Sequence, residues 1–374
     1  MKIVFAGRVT LPPLASYGKW DRPFSSVRWG FPLGSEIVKR LVAKGHEVFV
    51  VTEHTVDHTE KFVCDTQHGA LQVWLVPSWK RSRWMFLTLF AKEMKGIRSA
   101  IREIKPDVVF AQWTYHNAYA GLTSGSPTLV VAHDSPWRVF KMFRNLQTFI
   151  KALYATFFVV PKIKRLTSVS PYIVDEFRKF ARLRDMDVPV IPNGIDAADC
   201  RVDARQKPNG GHAPTVVCVS QEGRLKNSRT LFAAWEILKV RHPDWRLLVY
   251  GQGMPQGIVS RAELDRVLRE EADIFVSPSL EESFGMVFVE AMRMGVPCIG
   301  GEKSGAVPWV VGDGGVVCDV TNSEKLAECI ERVMEDEELR RKLSAGGLRR
   351  VREMFDINKV IELYERELER IVRC

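Results

Sequence analysis

Apolar positions along this 374-residue chain follow two rhythms that alternate. Short β-branched runs at 2–6, 47–52, 71–76, 107–111, 128–132 and 166–170 predict buried strands, and the stretches between them carry apolar residues at helical spacing. Over 34–44, Ile37, Val38, Leu41 and Val42 share one helix face, and Gly45 follows as a stop signal. Residues 189–194 read as a last strand with its turn, and the polar, Gly- and Pro-bearing stretch 201–214 reads as a linker. The rhythm then restarts. Strands are predicted at 215–220, 246–250, 273–277, 297–300 and 315–319, and helices near 227–241, 261–271 and 286–294, with charged helical sequence over 323–353 and 356–372. This alternation predicts an α/β fold of two successive doubly wound parallel-sheet domains, with a ligand cleft at the carboxyl ends of the strands. The predicted domains are 1–196 and 197–355, followed by a closing helix, 356–374, expected to pack back on the first domain.

Composition removes several classes. No run of about 18 uncharged apolar residues is present, so no transmembrane helix is predicted. The opening Met1-Lys2-Ile3-Val4-Phe5-Ala6-Gly7 has one basic residue and too short an apolar run for a signal peptide, and reads as a buried strand. Seven scattered cysteines without a Cys-x-x-Cys pair support neither a zinc knuckle nor a disulfide framework, which fits a reducing, cytoplasmic setting. The net charge of +9 is unevenly shared. Residues 1–196 hold 28 Lys+Arg against 16 Asp+Glu, whereas 197–374 hold 26 against 29. A first half this basic predicts an anionic partner.

The chemistry concentrates in Ser277-Pro278-Ser279-Leu280-Glu281-Glu282-Ser283-Phe284-Gly285-Met286-Val287-Phe288-Val289-Glu290. A strand ends in Pro-Ser, a loop supplies Glu282, and Gly285 opens a helix whose unpaired amides suit a phosphate. Glu290, eight residues after Glu282 and more than a turn into the helix, is placed to accept hydrogen bonds from sugar hydroxyls. Taken alone, the same pattern is also that of a strand–turn–helix with solvated caps.

The string resembles the Glu-x7-Glu signature of retaining family-4 glycosyltransferases, which have the two-domain GT-B fold. Lys226-Asn227, Tyr250-Gly251-Gln252-Gly253, Ala272-Asp273-Ile274-Phe275-Val276-Ser277-Pro278-Ser279, Glu282-x7-Glu290 and Gly295-Val296-Pro297 stand in the family's order. The resemblance implies transfer of a sugar from a UDP- or GDP-sugar, with no metal cofactor and a cation pair stabilising the diphosphate. It implies that Lys226, with Arg224 as a second cation, meets that diphosphate, that Gly251 and Gly253 line the nucleotide site, and that Glu290 binds the ribose. Glu282, with Ser283, Phe284 and Gly285, would lie beside the donor sugar and phosphate. In the first half, Gly34 resembles the glycine that approaches the diphosphate, Gly45-His46-Glu47-Val48 resembles the entry to the second strand, and His133 resembles the histidine facing the donor sugar. Asp134, beside it, is the nearest carboxylate for a general base.

Departures from the family pattern are specific. Ser220-Gln221 stands where a Gly-Arg is usual, Leu33 where the glycine loop carries another glycine, and Ala306-Val307-Pro308-Trp309 where a Glu is usual. The span from Gly253 to Asp273, which in the family contacts the base, is short. Asp185-Met186-Asp187 mimics a metal-binding Asp-x-Asp but falls in a charged surface loop.

Two basic, aromatic segments mark the first half. If helical, 139–158 places Val139, Phe143, Leu146, Ile150, Leu153 and Phe157 on one face and Lys141, Arg144, Thr148 and Lys151 on the other. The stretch 79–105 holds eight basic and two acidic residues, with Trp79, Trp84, Met85, Phe86, Leu87 and Phe90 near its start. These segments predict docking to an anionic membrane surface at the inner face of the cell membrane. With the family resemblance, they imply an acceptor that is a lipid-linked glycan or a surface polysaccharide precursor, as in lipopolysaccharide synthesis. Two other readings stay open from the sequence: a nucleotide-sugar 2-epimerase sharing the fold, and a nucleic-acid-binding module using the basic half.

Overall fold

A computed structural model describes residues 1–23, 30–66, 69–79, 82–198, 200 and 213–373. The predicted linker at 201–214 therefore lies outside the described residues except for Ala213 and Pro214. The chain divides into two compact units, Met1–Ile191 with Ile357–Cys374, and Pro192–Asp356. The chain thus crosses from unit to unit at 191/192 and again at 356/357.

The first unit holds β1 (Lys2–Ala6), β2 (Lys19–Trp20), β3 (Glu47–His54), β4 (Glu60–Asp65), β5 (Ala70–Pro77), β6 (Val108–Gln112), β7 (Thr128–Ala132) and β8 (Leu166–Ser168) in one sheet ordered β2-β4-β5-β3-β1-β6-β7-β8. From β5 to β8 neighbours run parallel, with Val4 opposite both Phe49 and Val109. The central strands are mostly apolar because helices cover both faces. The sheet is not wholly parallel. β2 and β4 add an antiparallel edge that the apolar runs did not announce. In β4 the buried Phe62 and Cys64 alternate with Lys61, Val63 and Asp65 facing water, a pattern that needs only one covered face.

The second unit holds β9 (Thr215–Val219), β10 (Arg246–Tyr250), β11 (Ile274–Val276), β12 (Cys298–Gly301) and β13 (Gly315–Cys318), all parallel, ordered β10-β9-β11-β12-β13. Each sheet reverses its winding once, between β1 and β6 in the first unit and between β9 and β11 in the second. In sheets of this kind, ligands bind at such a reversal, beyond the carboxyl ends of the strands.

Three helical or strand expectations change. The segment 139–158 is not one helix: Pro136–Phe143 ends where Arg144 adopts a left-handed φ of 46°, and the Asn145 side chain accepts the Thr148 amide to start Leu146–Tyr154. The stretch 323–353 divides at Asp336, whose carboxylate caps Glu337–Arg350. Residues 189–194 form only a single bridge, Ser168 with Val190, since Pro189 and Pro192 have no amide to donate.

The helix Ile357–Arg373 packs on the first unit. Its Tyr364 ring is buried against Phe110, 4.9 Å between centroids. Beside it Glu365 takes Lys44 Nζ at 2.6 Å and His46 Nε2 at 2.7 Å, while His46 Nδ1 lies 3.2 Å from the N-terminal amine. Burial alone would raise the Glu365 pKa, but the hydrogen bonds from Lys44 and His46 outweigh it and hold the carboxyl below its ordinary range. A depressed carboxyl stabilises the fold above its unfolded pKa, and that contribution is lost as pH falls through the folded value. Glu365→Gln is therefore expected to lower stability at neutral pH by about 1–2 kcal/mol. Melting curves of variant and wild type should converge as the pH drops below the carboxylate range; a gap that persists in acid would assign the effect to packing instead.

Candidate active site

The winding reversal of the second unit brings together the loops after β9 and β11. At the end of β10, Gly251 has φ 135°, and a Cβ there would sit 1.7 Å from the Ser220 carbonyl oxygen, so only glycine lets the loop after β10 lie this close to the loop after β9. The Ser220 amide donates to Tyr250 O at 2.8 Å and the Glu222 amide to Gln252 O at 3.2 Å. Gly253, at φ 76°, continues that turn against the Glu222 side chain. Asn227 then turns the chain with φ 51°, and its amide group donates to Val320 O at 2.7 Å and Pro278 O at 3.3 Å. The Leu280 amide donates to Leu225 O at 2.8 Å. The backbones on either side of Lys226 and Glu282 are thus tied to each other before the side chains meet.

They meet as an ion pair, Lys226 Nζ to Glu282 Oε1 at 2.6 Å, with both groups partly buried. Gly285, at φ 94°, makes the sharp reversal that starts the helix Met286–Arg293 and leaves its first amides beside the pair. Phe284 is buried against Phe355 and Trp309, at 5.6 and 6.2 Å between centroids, and Ser283 lies half-buried between it and Glu282. The Ala306 amide donates to Glu282 O at 2.9 Å, so the stretch that lacks the family's Glu acts here through its backbone and through Trp309. Cation, carboxylate and helix amides share one rim, an arrangement that can neutralise a diphosphate. Arg224 is exposed on the same loop.

Glu290 projects from inside that helix and is nine-tenths buried. Its Oε1 is paired with Arg261 Nη1, a contact that spacing alone did not point to. Arg261 is the first residue of the helix Arg261–Glu270, which Ser260 caps by accepting the Glu263 amide. Asp265 then links Arg261 Nε at 3.3 Å to Arg293 Nη2 at 2.8 Å. A helix near 261–271 was legible in the sequence. It identified no partner, because charges on neighbouring helices pair across space rather than along the chain.

Gly34 and His133 belong to the first unit. Gly34 lies in the first turn of the helix Pro32–Ala43, where a Cβ would fall 2.7 Å from the Phe31 ring and 2.8 Å from Arg8 O. Phe31 in turn packs on His133 at 5.2 Å, and Trp113, in a left-handed φ of 63°, packs on it at 4.7 Å. His133 ends β7, and its Nε2 is 2.8 Å from Gln112 Oε1. Burial depresses its pKa to about 3, so at neutral pH it is an uncharged hydrogen-bonding imidazole. Asp134 accepts the Tyr115 hydroxyl at 2.9 Å, and burial lifts it to about 6 against the opposing pull of Tyr115 and Lys151. His46 serves the Glu365 clasp, and Asp185 and Asp187 are exposed.

Two family models match the chain: Glycosyltransferase Family 4 over residues 35–199 and Glycosyl transferases group 1 over 255–350. Among curated proteins the chain is 38% identical to N-acetyl-alpha-D-glucosaminyl L-malate synthase of Bacillus anthracis over 96 residues, 25% of each chain. It is 27% identical to a GDP-mannose-dependent phosphatidylinositol monomannoside mannosyltransferase of Mycolicibacterium smegmatis over 179 residues, 39% of this chain and 47% of the relative. The matched region spans about a quarter to a half of the length of such relatives. Two solved structures share the fold over 99% of this chain: sucrose-phosphate synthase of Thermosynechococcus elongatus, covered over 99% at TM-score 0.73 and 19% identity, and Anabaena HepE with UDP, covered over 100% at TM-score 0.68 and 16% identity. With the two winding reversals and the ordered Lys226, Glu282 and Glu290 set, these likenesses place the chain in the family-4 glycosyltransferases, built on the GT-B fold.

Proposed function

We propose that the protein is a retaining glycosyltransferase that moves a sugar from a UDP- or GDP-sugar to a hydroxyl of a lipid-linked glycan or surface polysaccharide precursor. The observation that carries the donor half is the Lys226–Glu282 pair at the mouth of the helix Met286–Arg293. A diphosphate entering there exchanges Glu282 for itself as the partner of Lys226 and adds the helix amides, so charge that develops on the leaving group meets positive groups already in place. Glu290 accepts from the ribose hydroxyls, a role that requires Arg261 to yield one carboxylate oxygen. The bond from the anomeric carbon to the diphosphate breaks, the acceptor oxygen bonds to that carbon from the same face, and the acceptor proton passes to the departing phosphate. His133, uncharged, supports the donor sugar by hydrogen bonding without a competing positive charge.

The acceptor half rests on the surface of the first unit. The helices Ser82–Leu87 and Leu146–Tyr154 pack together, with Lys151 Nζ 5.6 Å from the Phe86 ring, so the two basic, aromatic segments form one region. There Leu146 and Phe157 are 71% and 67% exposed, and Trp84, Leu87, Phe143 and Phe158 are exposed as well, among Lys141, Arg144 and Lys162. Among the described residues no helix is long and apolar enough to cross a membrane. Apolar side chains under a basic rim suit shallow insertion into an anionic leaflet at the cytoplasmic face.

A thermal-shift screen across nucleoside diphosphates should raise the melting temperature with UDP or GDP, since a ligand of the native state stabilises it. Lys226→Ala is expected to lower turnover by roughly 10²–10³-fold and Glu290→Ala to raise the donor KM, each with an unchanged melting curve; wild-type turnover in both would refute the assignment. With side chains and amides meeting the diphosphate, turnover should survive EDTA. Leu146→Ser combined with Phe157→Ser should abolish flotation with phosphatidylglycerol vesicles at low salt, whereas wild type lacking flotation ends the docking idea. Donor converted without any acceptor would identify a 2-epimerase instead.

A further inference from the structure

The row of charges behind Glu290 is longer than a nucleotide site needs. On the second unit it runs Glu290, Arg261, Asp265, Arg293, alternating in sign over two helices. Its far end is fixed: Arg293 is 6% exposed, and its Nη2 lies 2.8 Å from Asp265 Oδ2. The near end is free to move. Arg261 stands at the first position of its helix with its side chain 50% exposed, so its guanidinium can leave Glu290 without disturbing the core.

Asp265 offers that guanidinium a second seat. Its Oδ1 is out of contact with water and accepts no hydrogen bond among the described residues, yet it lies only 3.3 Å from Arg261 Nε. A buried carboxylate oxygen without a donor is costly, and a small rotation of Arg261 supplies one. Arg261 thus has two carboxylates within reach. Moving from Glu290 to Asp265 keeps its charge paired and uncovers Glu290.

The geometry of a ribose drives that move. Its cis 2′- and 3′-hydroxyls can donate as a pair, one to each oxygen of a single carboxylate. Arg261 Nη1 is held on Glu290 Oε1, so the second hydroxyl competes with a cation for its acceptor. A ribonucleoside that takes both oxygens displaces the guanidinium. The affinity it shows is then reduced by the fraction of molecules in which Glu290 is still covered.

We propose that Arg261 is a latch on the nucleotide site: it covers Glu290 when no ribose is present and swings to Asp265 when the cis-diol of a ribonucleotide takes both carboxylate oxygens. It is a positioning residue, acting through Glu290 and not on the reacting atoms. The latch rests on the reading of Glu290 as the ribose acceptor, so its test reads the diol itself. Calorimetry would compare UDP and GDP with their 2′,3′-dideoxy counterparts on wild type, Arg261→Ala and Arg261→Met. Both variants should bind the ribonucleotide roughly threefold or more tighter than wild type, with no cation competing for Glu290, and should bind the dideoxy forms as wild type does. Arg261→Met keeps most of the side-chain bulk, so agreement between the two variants separates lost charge from lost packing. Asp265→Asn, which removes the charge of the second seat, should weaken ribonucleotide binding and should lose that effect in the Arg261→Ala background. The latch alone falls if wild type binds ribonucleotides and the Arg261 variants bind them no better, or if the variants gain equally on the dideoxy forms. Ribo and dideoxy forms bound alike by every protein would overturn the ribose role of Glu290, and the latch with it. Binding of no nucleoside diphosphate by any of these proteins would overturn the donor reading as a whole.

Discussion

The donor half of the molecule depends on one close approach of backbone to backbone. Gly251 sits where any side chain would strike the Ser220 carbonyl, and that contact lets the loop after β10 run against the loop after β9 that carries Lys226. The Leu280–Leu225 hydrogen bond and the two bonds of Asn227 then fix the register of the loops. Lys226 and Glu282, 56 residues apart, have little left to arrange when they pair. Most of the ordering entropy is met by the scaffold, so the charged groups stand ready for a ligand. The site is also electrostatically closed at rest. Lys226 is matched by Glu282 and Glu290 by Arg261, so neither of these partly buried carboxylates is left without a cation.

What could be read from the chain divides by range. Buried central strands such as Glu47–His54 and the switch-point loops were legible because parallel strands must be apolar on both faces and turns need glycine at positive φ. The edge strand Glu60–Asp65 was not, because a strand covered on one face can carry charge on alternate positions. The break at Arg144 lay hidden under a continuous apolar stripe. There local capping by Asn145 prevailed over periodicity. Arg261 escaped for a third reason: its partner, Glu290, comes from another element, and no spacing along the chain encodes a pairing through space.

The charge asymmetry of the sequence acquires a location in the structure. The surplus of the first unit does not gather around its buried acids, where Arg8 and Lys151 are balanced by Glu53 and Asp134. Part of it lies on the outer helices, among exposed Leu146, Phe157 and Phe158. Charges on such a face are strongly screened by salt, whereas the buried carboxylates Glu53 and Asp134 are screened much less.

The return of Ile357–Arg373 to the first unit also orders the birth of the molecule. Pro192–Asp356 has all of its strands and its own core once residue 356 has left the ribosome. The earlier unit, though begun first, still leaves Phe110 without Tyr364 and His46 without Glu365 until synthesis reaches the final helix. Chains that normally mature from the amino end forward are here completed in the reverse sense. A chain cut after Asp356 would carry a complete second unit and an open-faced first one lacking Tyr364 over Phe110 and Glu365 at His46, the form that chaperones would be expected to hold.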